Sequence, residues 1–296
     1  MKTPILLVAA VIAMTGSTHA IARRDPAPQA VLKLEPYRRG VAVRVNANGK
    51  PGLFVFDTAG GMTVVSPGFA KQAGCRPWGQ EVGYSMTGTR FATPRCDGFA
   101  FSVDGRKLVA PVAGVMEVAP LLAKDAEPIE GLLALDVFAN ETITIDPAGG
   151  RLIVESPESA AARIAGAREL PLAIARENGG IALATYVMVP TARGPLRFEI
   201  DSGNGGTLLV SKAYAEALGL DGGAEKPVQG AFKVADGIEA RGLILVKDLN
   251  INGNLGMPFL KDWVITLDLR RSRMWIRRSK IAPPPGMGVP PPLPAG

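Results

Sequence analysis

Phe56-Asp57-Thr58-Ala59-Gly60-Gly61 and Ile200-Asp201-Ser202-Gly203-Asn204-Gly205 are the two stretches on which the fold turns. In each, an aspartate follows an apolar run and precedes a hydroxyl residue and then small residues. Small residues after Asp permit a tight turn and a close approach by another backbone. The surroundings repeat as well. Residues 40–74 read GVAVRVNANGKPGLFVFDTAGGMTVVSPGFAKQAG, and residues 185–219 read TYVMVPTARGPLRFEIDSGNGGTLLVSKAYAEALG. Setting Asp57 on Asp201 matches Val45 to Val189, Phe54 to Phe198, Phe56 to Ile200 and Thr63 to Thr207. After one extra residue in the second copy, Ser66 meets Ser211, Ala70 meets Ala215 and Gly74 meets Gly219.

A second block repeats further on. Residues 131–154 (GLLALDVFANETITIDPAGGRLIV) align with residues 253–276 (GNLGMPFLKDWVITLDLRRSRMWI) at one constant offset. Leu133 meets Leu255, Ile143 meets Ile265, Thr144 meets Thr266, Asp146 meets Asp268 and Arg151 meets Arg273. Two blocks in the same order argue for two homologous lobes. Each lobe reads as strands. Ala42–Val45 alternates, and a Gly/Pro turn leads into Leu53–Phe56. Ser66-Pro67 and Ser211 have the look of helix starts. Thr142–Asp146 with Arg151–Val154, and Val264–Asp268 with Arg273–Ile276, read as hairpins whose Asp146 and Asp268 bond the turn backbone. Trp263 and Trp275 read as core.

Composition narrows the chemistry. The chain has 296 residues and one histidine, His19. That histidine falls in a stretch, residues 1–20, with a cationic Lys2, an apolar run Ile5–Met14 and small residues at its end. This is the pattern of a cleavable signal peptide, and the run is too short to span a bilayer. A mature chain without histidine has no Ser-His-Asp triad, no Cys-His pair and no His-ligated metal. The pair Gly49-Lys50 lacks the upstream glycine of a P-loop. Carboxylates are the remaining tools. Two of them held a few ångströms apart cannot both ionise easily. One can then act on a water as general base while the other acts as general acid.

With these residues in place, the sequence resembles the aspartic peptidases of the retropepsin and pepsin clan over residues 31–278, close to a retropepsin dimer fused into one chain. Asp57-Thr58-Ala59 is similar to the clan's Asp-Thr/Ser-Gly signature with one departure, and Asp201-Ser202-Gly203 matches it. The clan's apolar-apolar-Gly element is matched by Leu132-Leu133-Ala134 and Asn254-Leu255-Gly256. The resemblance implies an all-β, two-lobed acid-protease β-barrel fold with a pseudo-twofold repeat and short helices. It implies Asp57 and Asp201 as the catalytic pair, with no metal or cofactor. Thr58 and Ser202 would hold the two loops rigid, Ala59 and Gly203 would lie beside the pair, and Ala134 and Gly256 would pack beneath. A flap is expected at Val82–Phe91, with Tyr84 and a tip near Gly88, and a second at Gln229–Gly237. If Ala59 requires a positive φ, its methyl group costs about 1 kcal/mol. The two lobe-one alanines also keep open a weak or inactive peptide-binding scaffold.

The expected organisation is a signal peptide at 1–20, lobes at 31–155 and 169–280, a linker at 156–168 and a Pro-rich disordered tail without a core role at 281–296. Export would place Cys75 and Cys96 in an oxidising compartment, where a disulfide is the natural pairing and two buried free thiols are the alternative. Net charge is +6. The cations cluster at Arg270, Arg271, Arg273, Arg277, Arg278 and Lys280 without interleaved aromatics, so a solvated hairpin face is expected rather than a nucleic-acid site. The expected partner is a peptide or protein substrate, bound by a periplasmic or secreted monomer without stable membrane insertion.

Overall fold

A computed structural model describes residues 26–118 and 126–290. The signal-peptide reading of residues 1–20 lies outside these residues, as does His19. Strands dominate because the apolar residues recur at every second position. In Gly40–Ala47, Val41, Val43, Val45 and Ala47 are buried while Arg44 and Asn46 are exposed or rim the strand. Its hairpin to Lys50–Phe56 turns on Asn48 and Gly49, with φ of 50° and 77°. Such a turn matches the right-handed twist of the strands it joins.

The aspartate-bearing strands sit in equivalent frames. Lys50–Phe56 runs parallel to Gly131–Leu133, which pairs antiparallel with Val64–Val65; that strand lies parallel to Arg106–Val115. In the other lobe, Leu196–Ile200, Gly253–Leu255, Leu208–Ser211 and Ile238–Lys247 repeat the same pairings. Gly131 and Gly253 are repeat-equivalent for a steric reason. A Cβ built on either would stand 2.4 Å from the ring of Phe54 or 2.3 Å from that of Phe198. The two phenylalanines cross the central strand where only glycine leaves room.

The lobes are joined by a continuous sheet. Ala30–Lys33, Arg151–Val154 and Thr142–Asp146 from the first lobe meet Trp263–Asp268, Arg273–Arg278 and Arg168–Glu177 from the second. At the junction Thr144 faces Thr266, with their hydroxyls 2.8 Å apart. This is the matched threonine pair of the repeat, so the junction lies on the pseudo-twofold axis. Asp146 and Asp268 accept from the turn amides of Gly149 (3.0 Å) and Arg271 (2.9 Å), and Trp263 and Trp275 are buried. The terminal arginines pair locally. Arg273 grips Glu169 through two 2.8 Å bonds and stacks on Trp275, and Arg278 stacks on Trp263.

Between the lobes, the helix Pro157–Ile164 is capped by Ser156 in a capping box with Ser159 and tied back by Arg163 to the buried Glu155 (3.0 Å). The lobe-one helix Pro67–Gln72 starts as its sequence suggests, Ser66 accepting from the Phe69 amide. The lobe-two counterpart does not. Ser211 makes no side-chain cap, and the segment forms two short 3₁₀ turns, Lys212–Tyr214 and Glu216–Leu218. Here Lys212 stands where lobe one has the pre-set φ of Pro67. Cys75 and Cys96 form a disulfide across a Cα separation of 6.2 Å. The tail also departs from expectation. Met287 is 2 % exposed within the core, and the Gly288 amide donates to the Arg39 carbonyl (2.8 Å). Met287 and Gly288 therefore pack against the lobes, an apolar methionine outweighing the loose composition around it, while Ile281 and Val289 stay exposed; residues 291–296 lie outside the described residues.

Candidate active site

Each aspartate is delivered by the end of its strand. The Asp57 amide donates to the Leu133 carbonyl (2.9 Å) and the Asp201 amide to the Leu255 carbonyl (3.1 Å). Each carboxylate then accepts from its own loop: Asp57 from the Ala59 amide (3.0 Å), Asp201 from the Asn204 amide (2.9 Å). The loops are locked across the axis. The Thr58 hydroxyl donates to the Ile200 carbonyl (2.6 Å) and accepts from the Ser202 amide (2.9 Å). The Ser202 hydroxyl donates to the Phe56 carbonyl (2.6 Å) and accepts from the Thr58 amide (3.1 Å). Thr58 and Ser202 are both 1 % exposed. Shielded bonds of this kind hold a geometry that water would otherwise loosen.

The lock sets the carboxyls of Asp57 and Asp201 side by side, close enough for each to shift the other's ionisation. A Cβ built on Gly203 would stand 2.6 Å from Cγ of Asp57, so glycine here is a spatial requirement. Burial, followed by the negative charge of Asp201, pushes Asp57 up to about 7. Burial raises Asp201 too, but an amide opposes it: Asn254 donates Nδ2–H to its Oδ2, ahead of the Asn204 and Gly203 amides. The residue matching Asn254 in lobe one is Leu132, which has nothing to donate. The pair is therefore asymmetric, with the shared proton on Asp57 and the charge on Asp201.

The lobe-one alanines are accommodated. Ala59 lines the cleft and is not among the non-glycine residues of positive φ, so the left-handed strain considered from sequence does not arise. Ala134 is fully buried in extended backbone (φ −100°, ψ 179°). In lobe two a Cβ on Gly256 would strike the Thr207 carbonyl at 2.4 Å and the Asn204 carbonyl at 2.6 Å. Gly60 replaces Asn204 in lobe one, and there the Ala134 methyl has room. The matched threonines are also used differently. The Thr63 hydroxyl donates to Asp136 (2.7 Å), which burial pushes up to about 6, whereas the Thr207 hydroxyl donates to Asn204 (3.1 Å).

Above the pair lies a cleft of about 810 Å³. Its roof is the hairpin of Trp78–Tyr84 and the start of Arg90–Val103, with a tip at Ser85–Thr89. Tyr84, 65 % exposed, and Phe91 line it; Gly88, at φ +85°, makes the turn itself. The tip reaches the opposite lobe, where Asn250 donates its amide to the Met86 carbonyl (2.9 Å) and its side chain to the Ser85 carbonyl (3.1 Å). Asn250→Ala removes the second bond, so amides of residues 82–91 are expected to exchange several-fold faster in hydrogen-exchange mass spectrometry.

The second flap is absent from the expected place. Gln229–Gly237 belongs to the hairpin Val228–Ala235 and Ile238–Lys247, whose Phe232, Val234 and Ile238 are core residues and whose turn is held by Arg168 at the Asp236 carbonyl. Its counterpart is the far end of the lobe-one hairpin, at Asp104-Gly105, and among the described residues lobe two has no strand matching Trp78–Tyr84. The loop Asn250–Asn252 lines the cleft on that side. Sequence reading placed Asn254 only in the element beneath the loop, not as a donor to Asp201, and missed Asp136 and Glu199. Their signal was available as breaks in the repeat: a polar residue in one copy against Leu132, Pro258 and Val55 in the other.

A family model described as aspartyl protease matches residues 41–137, the part of lobe one that carries Asp57 and Ala134. Among solved structures, basic 7S globulin from soybean superposes with a TM-score of 0.54 at 11 % identity, over 84 % of this chain and 94 % of its own. Conglutin gamma, a basic 7S globulin from lupine seeds, gives 0.54 at 9 % identity, over 86 % and 96 %. No curated protein matches. The chain has the two-lobed retropepsin/pepsin-like fold, and residues 41–137 are similar to the aspartyl-protease model.

Proposed function

We propose that this protein is an exported aspartic endopeptidase that hydrolyses extended peptides with a water activated between Asp57 and Asp201. The observation that carries the reading is the pairing of two buried carboxyls, unequally supplied with donors and held by the Thr58–Ser202 lock beside a covered cleft. Asp201, charged and steadied by Asn254, takes a proton from water as the oxygen adds to the scissile carbonyl carbon. Asp57 gives its proton to the carbonyl oxygen. The neutral tetrahedral diol then collapses: Asp201 returns its proton to the amide nitrogen as the C–N bond breaks, and a diol hydroxyl returns a proton to Asp57. The dyad ends as it began.

Export is supported by the residue 1–20 pattern and by the Cys75–Cys96 disulfide. Both aspartates come from one chain, so the site needs no second copy. The test is an unbiased peptide mixture incubated with the mature protein, with cut sites read by mass spectrometry. Cleavage within extended segments is expected; an inert, folded protein from acid to neutral pH overturns the reading. Asn254→Leu, which copies lobe one, removes the donor that favours charged Asp201. The acid limb of its pH–rate profile is expected to move upward by about one unit, since a lost hydrogen bond to a charged group is worth about 1.5–3 kcal/mol and other donors compensate in part.

A further inference from the structure

The cleft beside Asp57 and Asp201 is itself lined by carboxyls, among them Glu199 and Glu177. Glu199 stands two residues before Asp201 on the same strand face, where lobe one has Val55. It lines the cleft at 6 % exposure, and among the described residues no donor hydrogen-bonds its side chain. A buried carboxyl without a partner is costly. Sheet register shows what surrounds it. Tyr186 lies opposite Glu199, and the neighbouring cleft-lining positions are Ala182, Ala184, Ala175 and Glu177. Alanines at these positions leave a hollow in the cleft wall, lined also by the buried Glu199 and the exposed Glu177. Arg197, one step along the strand, is exposed at the rim. Among the described residues no three acidic side chains are close enough to hold a metal ion, so the hollow suits an organic cation.

We propose that Glu199, aided by Glu177, makes the subsite beside Asp201 a receptor for a lysine or arginine side chain of the bound peptide. The proposal takes from the peptidase reading only that a peptide lies in the cleft. A cation entering the hollow supplies the donor that Glu199 lacks. It also changes the protonation of Glu199. Burial, then the charges of Asp201, Asp57 and Glu177, push the free carboxyl up to about 9, so it is neutral at pH 7. Burial, then the charges of Glu199 and Glu177, push the Tyr186 hydroxyl above its usual range, so it keeps its own proton and takes up none. An ammonium or guanidinium favours the carboxylate, and binding then releases a proton from Glu199.

The test uses peptides with a hydroxyethylene group in place of the scissile amide, in a set that carries lysine or norleucine at each of the positions flanking it. Calorimetry at pH 7 in two buffers of different ionisation enthalpy reads both affinity and proton release. At one position the wild type is expected to bind the lysine peptide at least tenfold tighter than its norleucine twin and to release up to one proton. Glu199→Gln and Glu199→Val, the latter copying lobe one, lose the preference and the proton while keeping norleucine affinity. Equal affinity at every position in the wild type, or a preference retained in both variants, overturns the proposal. Because the ligands are not cleaved, a selective but inert protein would refute only the hydrolytic reading, and an active protein indifferent to lysine would refute only the subsite.

Discussion

Replacing either aspartate by asparagine is expected to lower kcat/KM for a cleaved peptide by about 10³-fold or more, since each then lacks an acid or a base that contributes about 10²–10⁴. The loss in the double variant is expected to be no larger than in either single one, because two groups that pass one proton act as a unit. Stability moves the other way. Asp57 titrates near 7 when folded against 3.8 as an ordinary aspartate, so between those values the folded chain binds more protons than the unfolded one. Stability from this group is complete below about pH 4 and falls as pH rises through 7. Asparagine has no such titration. It keeps an oxygen for the Ala59 amide and can donate to Asp201. Asp57→Asn is therefore expected to be more stable than wild type at pH 8, by on the order of 1–3 kcal/mol, and to lose that advantage near pH 3. Thermal melts at the two pH values check this, and a variant that is less stable at both contradicts it.

Gly203→Ala is expected to cut kcat/KM by about 10²-fold, the usual penalty for displacing a reacting group by about 1 Å. Its methyl group would lie 2.6 Å from Cγ of Asp57 and 2.7 Å from each carboxylate oxygen. The obstructed atoms are the end of a side chain, so the carboxyl gives way before the backbone does. The protein should fold, with the dyad spread. Ala59→Gly, the reciprocal change in lobe one, is expected to alter the rate by less than about tenfold, because the Ala59 methyl faces the cleft and its backbone carries no positive-φ strain to relieve. Equal losses from the two changes would show that the loops are not packed as described.

The parts of this molecule that were legible in sequence are those the chain writes twice. Asp57 and Asp201 stand out because each follows a matched strand and precedes small residues, and Thr144 and Thr266 were paired by the repeat before the sheet placed them at the axis. What escaped was the difference between the copies. Asn254 and Glu199 sit on neighbouring strands in register, but far apart in the chain. Nothing local says that one steadies Asp201 while the other faces the hollow. Gln229–Gly237 has the residues of a flap; whether a hairpin covers a cleft or fills a core depends on the strand that precedes it. Ser211 lacked the following proline, a small difference that left 3₁₀ turns in place of a helix. Met287 is one apolar residue in a segment whose composition reads as loose, and its burial depends on a surface the segment itself does not encode.

The most direct measurement of the central claim, one proton shared by Asp57 and Asp201, is kcat/KM for a single cleaved peptide from pH 3 to 9. The account predicts a bell: activity rising as Asp201 ionises at acid pH and falling near pH 7 as Asp57 loses its proton. A rate that keeps rising through pH 9 would contradict it.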